Sequence, residues 1–107
     1  MKDVVLVSKA RNGVHKFTAT FPDGGRVHFG RKGYSDYTIH KDYNRMKRYV
    51  TRHAGSRSGL RSRRENWGRS GAKTAGFWSR WLLWSKPSLQ SARRETEKVL
   101  GKKIVIK

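Results

Sequence analysis

Residues 77–84 read Phe-Trp-Ser-Arg-Trp-Leu-Leu-Trp, and this block constrains the fold more than any other part of the chain. Phe77, Trp81 and Trp84 recur at steps of four and three, with Trp78 and Leu82 alongside. That period predicts an amphipathic helix over about Thr74–Ser85 with a wide aromatic face. Hydrophobic residues make up only 35% of the 107 positions, so the core has to be assembled largely from these rings and from Trp67. Three uses are open to them. They can pack as core or as a subunit interface. They can stack on the bases of single-stranded nucleic acid. With Arg80 and Lys86 beside them, they can also rest on an anionic membrane surface.

Upstream of the block the period is two. Val4–Val7 is a short aliphatic run suited to a strand. Asn12-Gly13 is a hairpin signal, because both residues tolerate positive φ. Val14–Phe21 follows, with His15, Phe17, Ala19 and Phe21 alternating onto one side and Phe17 and Phe21 facing inward. Pro22–Gly25 is a turn by composition, and Arg26–Phe29 places Val27 and Phe29 together on one face. From Thr38 the period lengthens: Ile39, Tyr43, Met46 and Val50 predict a single helix from Thr38, as N-cap, to about His53, with Asp42 near its first turn. Pro87 stops the aromatic helix, and Ser88 caps a last helix to Leu100 whose buried line is Leu89, Ala92, Thr96 and Val99. Gly101 suits the stop. Ile104-Val105-Ile106 is a short strand able to return to an edge of the N-terminal sheet. The expected fold is α+β in one small domain over residues 1–107. It has a small N-terminal antiparallel sheet, about three helices and a C-terminal strand rejoining the sheet.

Charge decides the class of partner. Lys and Arg number 26 against 7 Asp and Glu, a formal net charge of +19. A field of this size attracts nucleic acid, anionic lipid or an acidic protein face. The densest stretch is the Ser/Gly/Arg-rich segment 54–69, expected to be flexible until bound. Arg57, Arg61, Arg63, Arg64 and Arg69, followed by Lys73, are the predicted polyanion-binding residues. The glycine-bearing basic turn Gly30–Gly33 lacks the GxxxxGK[ST] order of a phosphate loop, so a plain turn and a phosphate contact are both open there.

Catalytic chemistry is hard to find. With no Cys, a disulfide framework and a Cys-based zinc site are excluded. The histidines stand at 15, 28, 40 and 53 without metal-ligand spacing. His15 and His28 could meet across adjacent strands, but two imidazoles do not close a site. The acids are few and scattered. No catalytic residue, cofactor or metal is therefore expected, and the chain reads as a non-enzyme. It has no apolar run long enough for a membrane-spanning helix, and its first residues are too short an apolar stretch for a secretory signal.

Several runs carry a resemblance. They are Phe29-Gly30-Arg-Lys-Gly33-Tyr34-Ser-Asp36-Tyr37-Thr38-Ile-His40-Lys41-Asp42, then Arg45, Tyr49, Arg52 and His53, then Glu65-Asn66-Trp67 and Ser70-Gly71. The most specific is Thr74-Ala75-Gly76-Phe77-Trp78-Ser79-Arg80-Trp81-Leu82-Leu83-Trp84, with Lys86-Pro87-Ser88-Leu89 after it. Together, over about Phe29–Lys98, they resemble a small basic uncharacterised family of nucleocytoplasmic large DNA viruses, the giant viruses of protists and algae. That resemblance supplies no catalytic residue. It implies a virion component, placed inside the host cell during assembly and belonging to a larger assembly. As a minor capsid or internal virion protein it would bridge viral capsid proteins and an anionic layer. Trp67, Phe77, Trp78, Trp81 and Trp84 would serve as core or interface anchors. The alternative is a nucleic-acid-binding protein that contacts or condenses viral DNA, or binds RNA, through the basic segment.

Overall fold

A computed structural model describes residues 4–54 and 67–107. Three strands, β1 (Val4–Lys9), β2 (His15–Thr20) and β3 (Arg26–Arg31), form an antiparallel meander. Its first turn is closed by Asn12, whose Oδ1 accepts from the backbone N–H groups of Val14 and His15 at 2.9 and 3.0 Å. The C-terminal strand β4 (Lys103–Ile106) returns to the sheet, so the order is β3-β2-β1-β4. It runs parallel to β1, with Val5 opposite Ile104 and Val7 opposite Ile106. A parallel neighbour needs a long crossover, and the helical half of the chain provides it. The fold is therefore α+β, with a mixed four-stranded sheet.

One face of the sheet is covered. Val5, Val7, Ala19, Val27, Phe29 and Ile104 are buried beneath Phe77, Trp78, Leu82 and Leu83, with Ala92 and Leu100 closing the cluster. Phe29 and Trp78 stack at 5.6 Å. Trp78 also donates its indole N–H to the Ala72 carbonyl at 2.7 Å, so its one polar atom is satisfied inside the core. The strand alternation holds from Phe17 onward and slips at its start. Gly30, opposite Lys16, has φ +72°. There Lys16 turns to the helical side, and His15, expected beside Phe17, stacks instead on His28 at 5.7 Å.

The helical half differs from the periodicity in two places. The single helix expected from Thr38 to His53 is two: α1 (Tyr37–His40) and α2 (Tyr43–Ala54). Asp36, rather than Thr38, caps α1 by accepting from the Thr38 N–H at 2.9 Å. Lys41 ends α1 at φ 57°, and Asp42 starts α2 by accepting from the Arg45 N–H at 3.1 Å. The break rotates the two pieces relative to one another. Ile39 and Tyr43, expected on the buried face, are therefore 59% and 58% exposed. Tyr49 and Val50 are buried instead, with Met46 packed against them.

The aromatic helix is not uniformly α. Thr74 caps α3 (Ala75–Trp78), and the chain continues directly into a π-helical turn, Ser79–Leu83. A π turn aligns residues five apart. Phe77 with Leu82, and Trp78 with Leu83, are accordingly the fully buried pairs, while Trp81 and Trp84 sit half-buried on the flank. The last helix, α4 (Leu89–Leu100), is capped by Ser88 and stopped by Gly101 at φ 75°. No helix among the described residues is long and apolar enough to cross a membrane.

Candidate functional site

The flank left by the π turn is where α2 docks. Trp84 and Tyr49 lie face to face, with ring centroids 4.2 Å apart and planes 2° apart. His53 stacks on the other side of Tyr49 at 4.2 Å, and His40 meets Trp84 at a tilt, with centroids 5.3 Å apart. Four rings thus form a ladder joining α1, the π turn and α2. Trp67, Val50 and Met46 complete this second, smaller core, and Trp81 donates its indole N–H to the Trp67 carbonyl at 2.7 Å.

Arg80 is clamped within the same region. Its guanidinium lies 4.4 Å from the Trp81 ring centre and 5.4 Å from that of Trp67, and it donates to the Trp84 carbonyl at 3.1 Å. Burial pulls its pKa below the usual guanidinium value, while the flanking ring faces favour the cation.

With α2 held in this way, the side of the helix adjoining the ladder lines a hollow of about 550 Å³ between α2 and the β3–α1 connection, and Tyr49, His53 and Trp84 line it too. Arg45, Arg48 and Arg52, at steps of three and four, share one side of the helix and face this hollow. Arg31 and Tyr34 stand on the opposite wall, the guanidinium 5.7 Å from the ring centre. Lys16 reaches the floor, where its ammonium meets Asp36 Oδ2 at 2.6 Å. Asp36 is only 2% exposed, and its other oxygen accepts from the Thr38 N–H and hydroxyl. The one carboxylate of the hollow is therefore spent inside the fold. No described carboxylate pairs with Arg45, Arg48 or Arg52, and α2 itself contains no acid. The hollow presents positive charge, hydrogen-bond donors in arginine forks and an exposed aromatic ring. That combination suits phosphate oxygens, which arginine binds in bidentate fashion.

Of the basic residues singled out by sequence, Arg69 and Lys73 fall elsewhere. Arg57, Arg61, Arg63 and Arg64 lie outside the described residues. Of the segment 54–69, the described part includes buried Trp67 and the start of a 3₁₀ turn, Arg69–Gly71. Arg69 and Lys73 line a separate hollow beside Phe21 and Leu100. Arg69 donates from Nε to the Val99 carbonyl at 3.3 Å. Lys73 pairs with Asp23 and lies over the Phe21 ring at 5.4 Å. The hydrogen bond from Lys73 holds the Asp23 carboxyl below its ordinary pKa. Trp67, Phe77 and Trp78 are buried within the chain, and Trp81 and Trp84 bind its two cores together. Sequence reasoning left Arg31 open, within the Gly30–Gly33 turn, and missed Arg45, Arg48 and Arg52. The signal was present: the three α2 arginines recur at steps of three and four, on a stripe adjoining that of Met46, Tyr49 and Val50. No group of three or more metal-ligating side chains among the described residues is placed to hold an ion.

Over residues 5–53 the chain is similar to a family of unknown function (DUF5754). The matched span is just under half of the chain. It contains the meander, α1 and nearly all of α2, and with them Lys16, Arg31, Arg45, Arg48 and Arg52, but not the aromatic block. No curated protein and no solved structure matches the chain.

Proposed function

We propose that this is a non-enzymatic nucleic-acid-binding protein that contacts the phosphate backbone through the arginine face of α2. The observation that carries this reading is the set Arg45, Arg48 and Arg52, which pair with no carboxylate among the described residues and face a hollow whose one described acid is already neutralised. The net charge of +19 adds long-range attraction and fast encounter. Arg57, Arg61, Arg63 and Arg64 would extend the contact along the same strand. In the giant-virus setting suggested by the resemblance, the protein would be an internal virion component with the packaged genome as its polyanion. Bridging to capsid proteins would then use surfaces other than the buried aromatic block.

Titration of a labelled oligonucleotide over a salt series tests the proposal. Affinity should fall steeply with salt. Replacing Arg45, Arg48 and Arg52 together by Ala should flatten the log–log slope by about two to three units. These side chains are exposed, so the fold should survive, which circular dichroism checks. An unchanged slope in the folded triple variant would remove α2 from the contact.

A further inference from the structure

Building on the nucleic-acid reading, we infer that the α2 hollow is a seat for single-stranded nucleic acid, with a base stacked on Tyr34 and phosphates held by Arg45, Arg48 and Arg52. Three observations carry this. The first is shape. At about 550 Å³ the hollow falls in the range of about 300–1,000 Å³ that encloses ligands of small-molecule size. A helix that reads duplex DNA has to project into a groove roughly 12 Å wide. Here the arginine face of α2 is turned toward the β3–α1 wall, where a splayed nucleotide fits and a duplex does not enter.

The second is the ring. Tyr34 is 65% exposed on the rim of the hollow although Arg31 covers one of its faces. An exposed aromatic ring braced by a guanidinium beside an arginine row is the platform on which unpaired bases stack. The other rings lining the hollow are engaged with one another: Tyr49 stacks between Trp84 and His53, and Trp84 also meets His40 at a tilt.

The third is the spacing. Arg45 to Arg52 spans about 10 Å along the helix at 1.5 Å per residue. That reaches three to four phosphates of a stacked strand rising about 3.4 Å per nucleotide.

A purely electrostatic polycation prefers duplex, because duplex has the higher charge density and the steeper counterion release, about 0.9 against 0.7 per phosphate neutralised. Preference for the single strand therefore distinguishes the seat from general attraction. The test titrates the full chain with a labelled single strand and with the duplex formed from it, across a salt series. The single strand should bind more tightly. Tyr34→Ala should weaken it about 5- to 100-fold without changing the salt slope, leave duplex binding unchanged, and be rescued by Tyr34→Phe, which keeps the ring. If duplex binds as well as single strand and Tyr34→Ala is silent, the seat is refuted, while a flattened slope in the arginine triple variant would leave the phosphate-contact reading standing. If the triple variant is also silent, both fall.

Discussion

Asp36→Asn should weaken the fold and strengthen polyanion binding at the same time. In the native chain Asp36 Oδ2 accepts from the Lys16 ammonium at 2.6 Å, and Oδ1 accepts from the Thr38 N–H at 2.9 Å. The Lys16 and Asp36 side chains are 15% and 3% exposed. Asparagine keeps an oxygen for Thr38, so α1 stays capped, but it presents a neutral amide to Lys16. A hydrogen bond to a charged group contributes about 1.5–3 kcal/mol. Some of that is recovered, because the long lysine stem can swing its ammonium out to water in the hollow. The net loss should be about 1–2 kcal/mol. At about 4–8 °C per kcal/mol for a domain of this size, the thermal midpoint should fall by about 4–16 °C.

The released ammonium then joins Arg45, Arg48 and Arg52 on the open side of the hollow. Single-strand affinity should rise, and its salt dependence should steepen by about 0.7 of a log–log unit. Thermal unfolding followed by tryptophan fluorescence reads the first effect, and anisotropy titration at several salt concentrations reads the second. A variant with an unchanged midpoint would refute the buried ion pair. A destabilised variant with an unchanged slope would show that the Lys16 site does not face the bound strand.

Two further outcomes follow from the same region. Gly30→Ala would place a methyl group in a left-handed backbone at φ +72°, with its carbon 2.9 Å from Leu83 Cδ1 and 3.3 Å from Lys16 Cδ. Backbone strain of about 1–2 kcal/mol and crowding of about 1–3 kcal/mol should together cost about 2–5 kcal/mol in urea unfolding, and a loss below about 0.5 kcal/mol would contradict the geometry. His40 is held below its ordinary value of 6.5, first by burial and then by Arg45, while its Nδ1 accepts from the Asp42 N–H at 2.9 Å. The unfolded chain therefore takes up the proton first on acidification. The stability His40 contributes is complete above about pH 6.5 and is lost as pH falls toward its folded pKa. His40→Asn should flatten that part of the stability–pH curve, and an identical curve would show that His40 is not the group responsible.

What could be read from the residues, and what could not, divides along physical lines. Asn12-Gly13, the alternation Phe17–Ala19–Phe21 and the pair Val27 and Phe29 specify a meander because sheet faces repeat every two residues regardless of partner. The Ile104–Ile106 run needed an edge, and β1 had one free. The helix break at Lys41-Asp42 was hidden because Ile39 and Tyr43 happen to continue the period of Met46 and Val50. Only the capping geometry of Asp36 and Asp42, each accepting from a backbone N–H, separates two helices from one. The π turn was hidden for a related reason: one extra residue per turn changes which rings share a face without changing which residues are apolar. The arginine row was overlooked because the denser Arg57–Arg64 cluster dominated a reading by composition. A row of three charges on an ordinary helix becomes a site only when tertiary structure sets a wall opposite it.

That wall also explains why a chain with so much positive charge can hold three arginines side by side. Like-charged neighbours three or four residues apart destabilise a helix by about 0.2–0.5 kcal/mol per pair, so Arg45–Arg48 and Arg48–Arg52 together cost about 0.4–1 kcal/mol. Against this stand the stacked contacts Tyr49–Trp84 and Tyr49–His53 and the tilted contact His40–Trp84. Aromatic pairs contribute about 0.5–1.5 kcal/mol each, enough to offset the repulsion with a modest surplus. The last turn helps, because Arg52 and His53 lie at the C-terminal end of α2, where the helix dipole favours cations. The aromatic residues at the π turn thus act on the charged row from its flank. They fix α2 by its buried side and leave the adjoining arginines with no carboxylate partner among the described residues. A phosphate strand that neutralised the row would remove the repulsion and leave the stacking in place, so bound nucleic acid and the aromatic ladder would stabilise α2 from adjoining sides of the same helix.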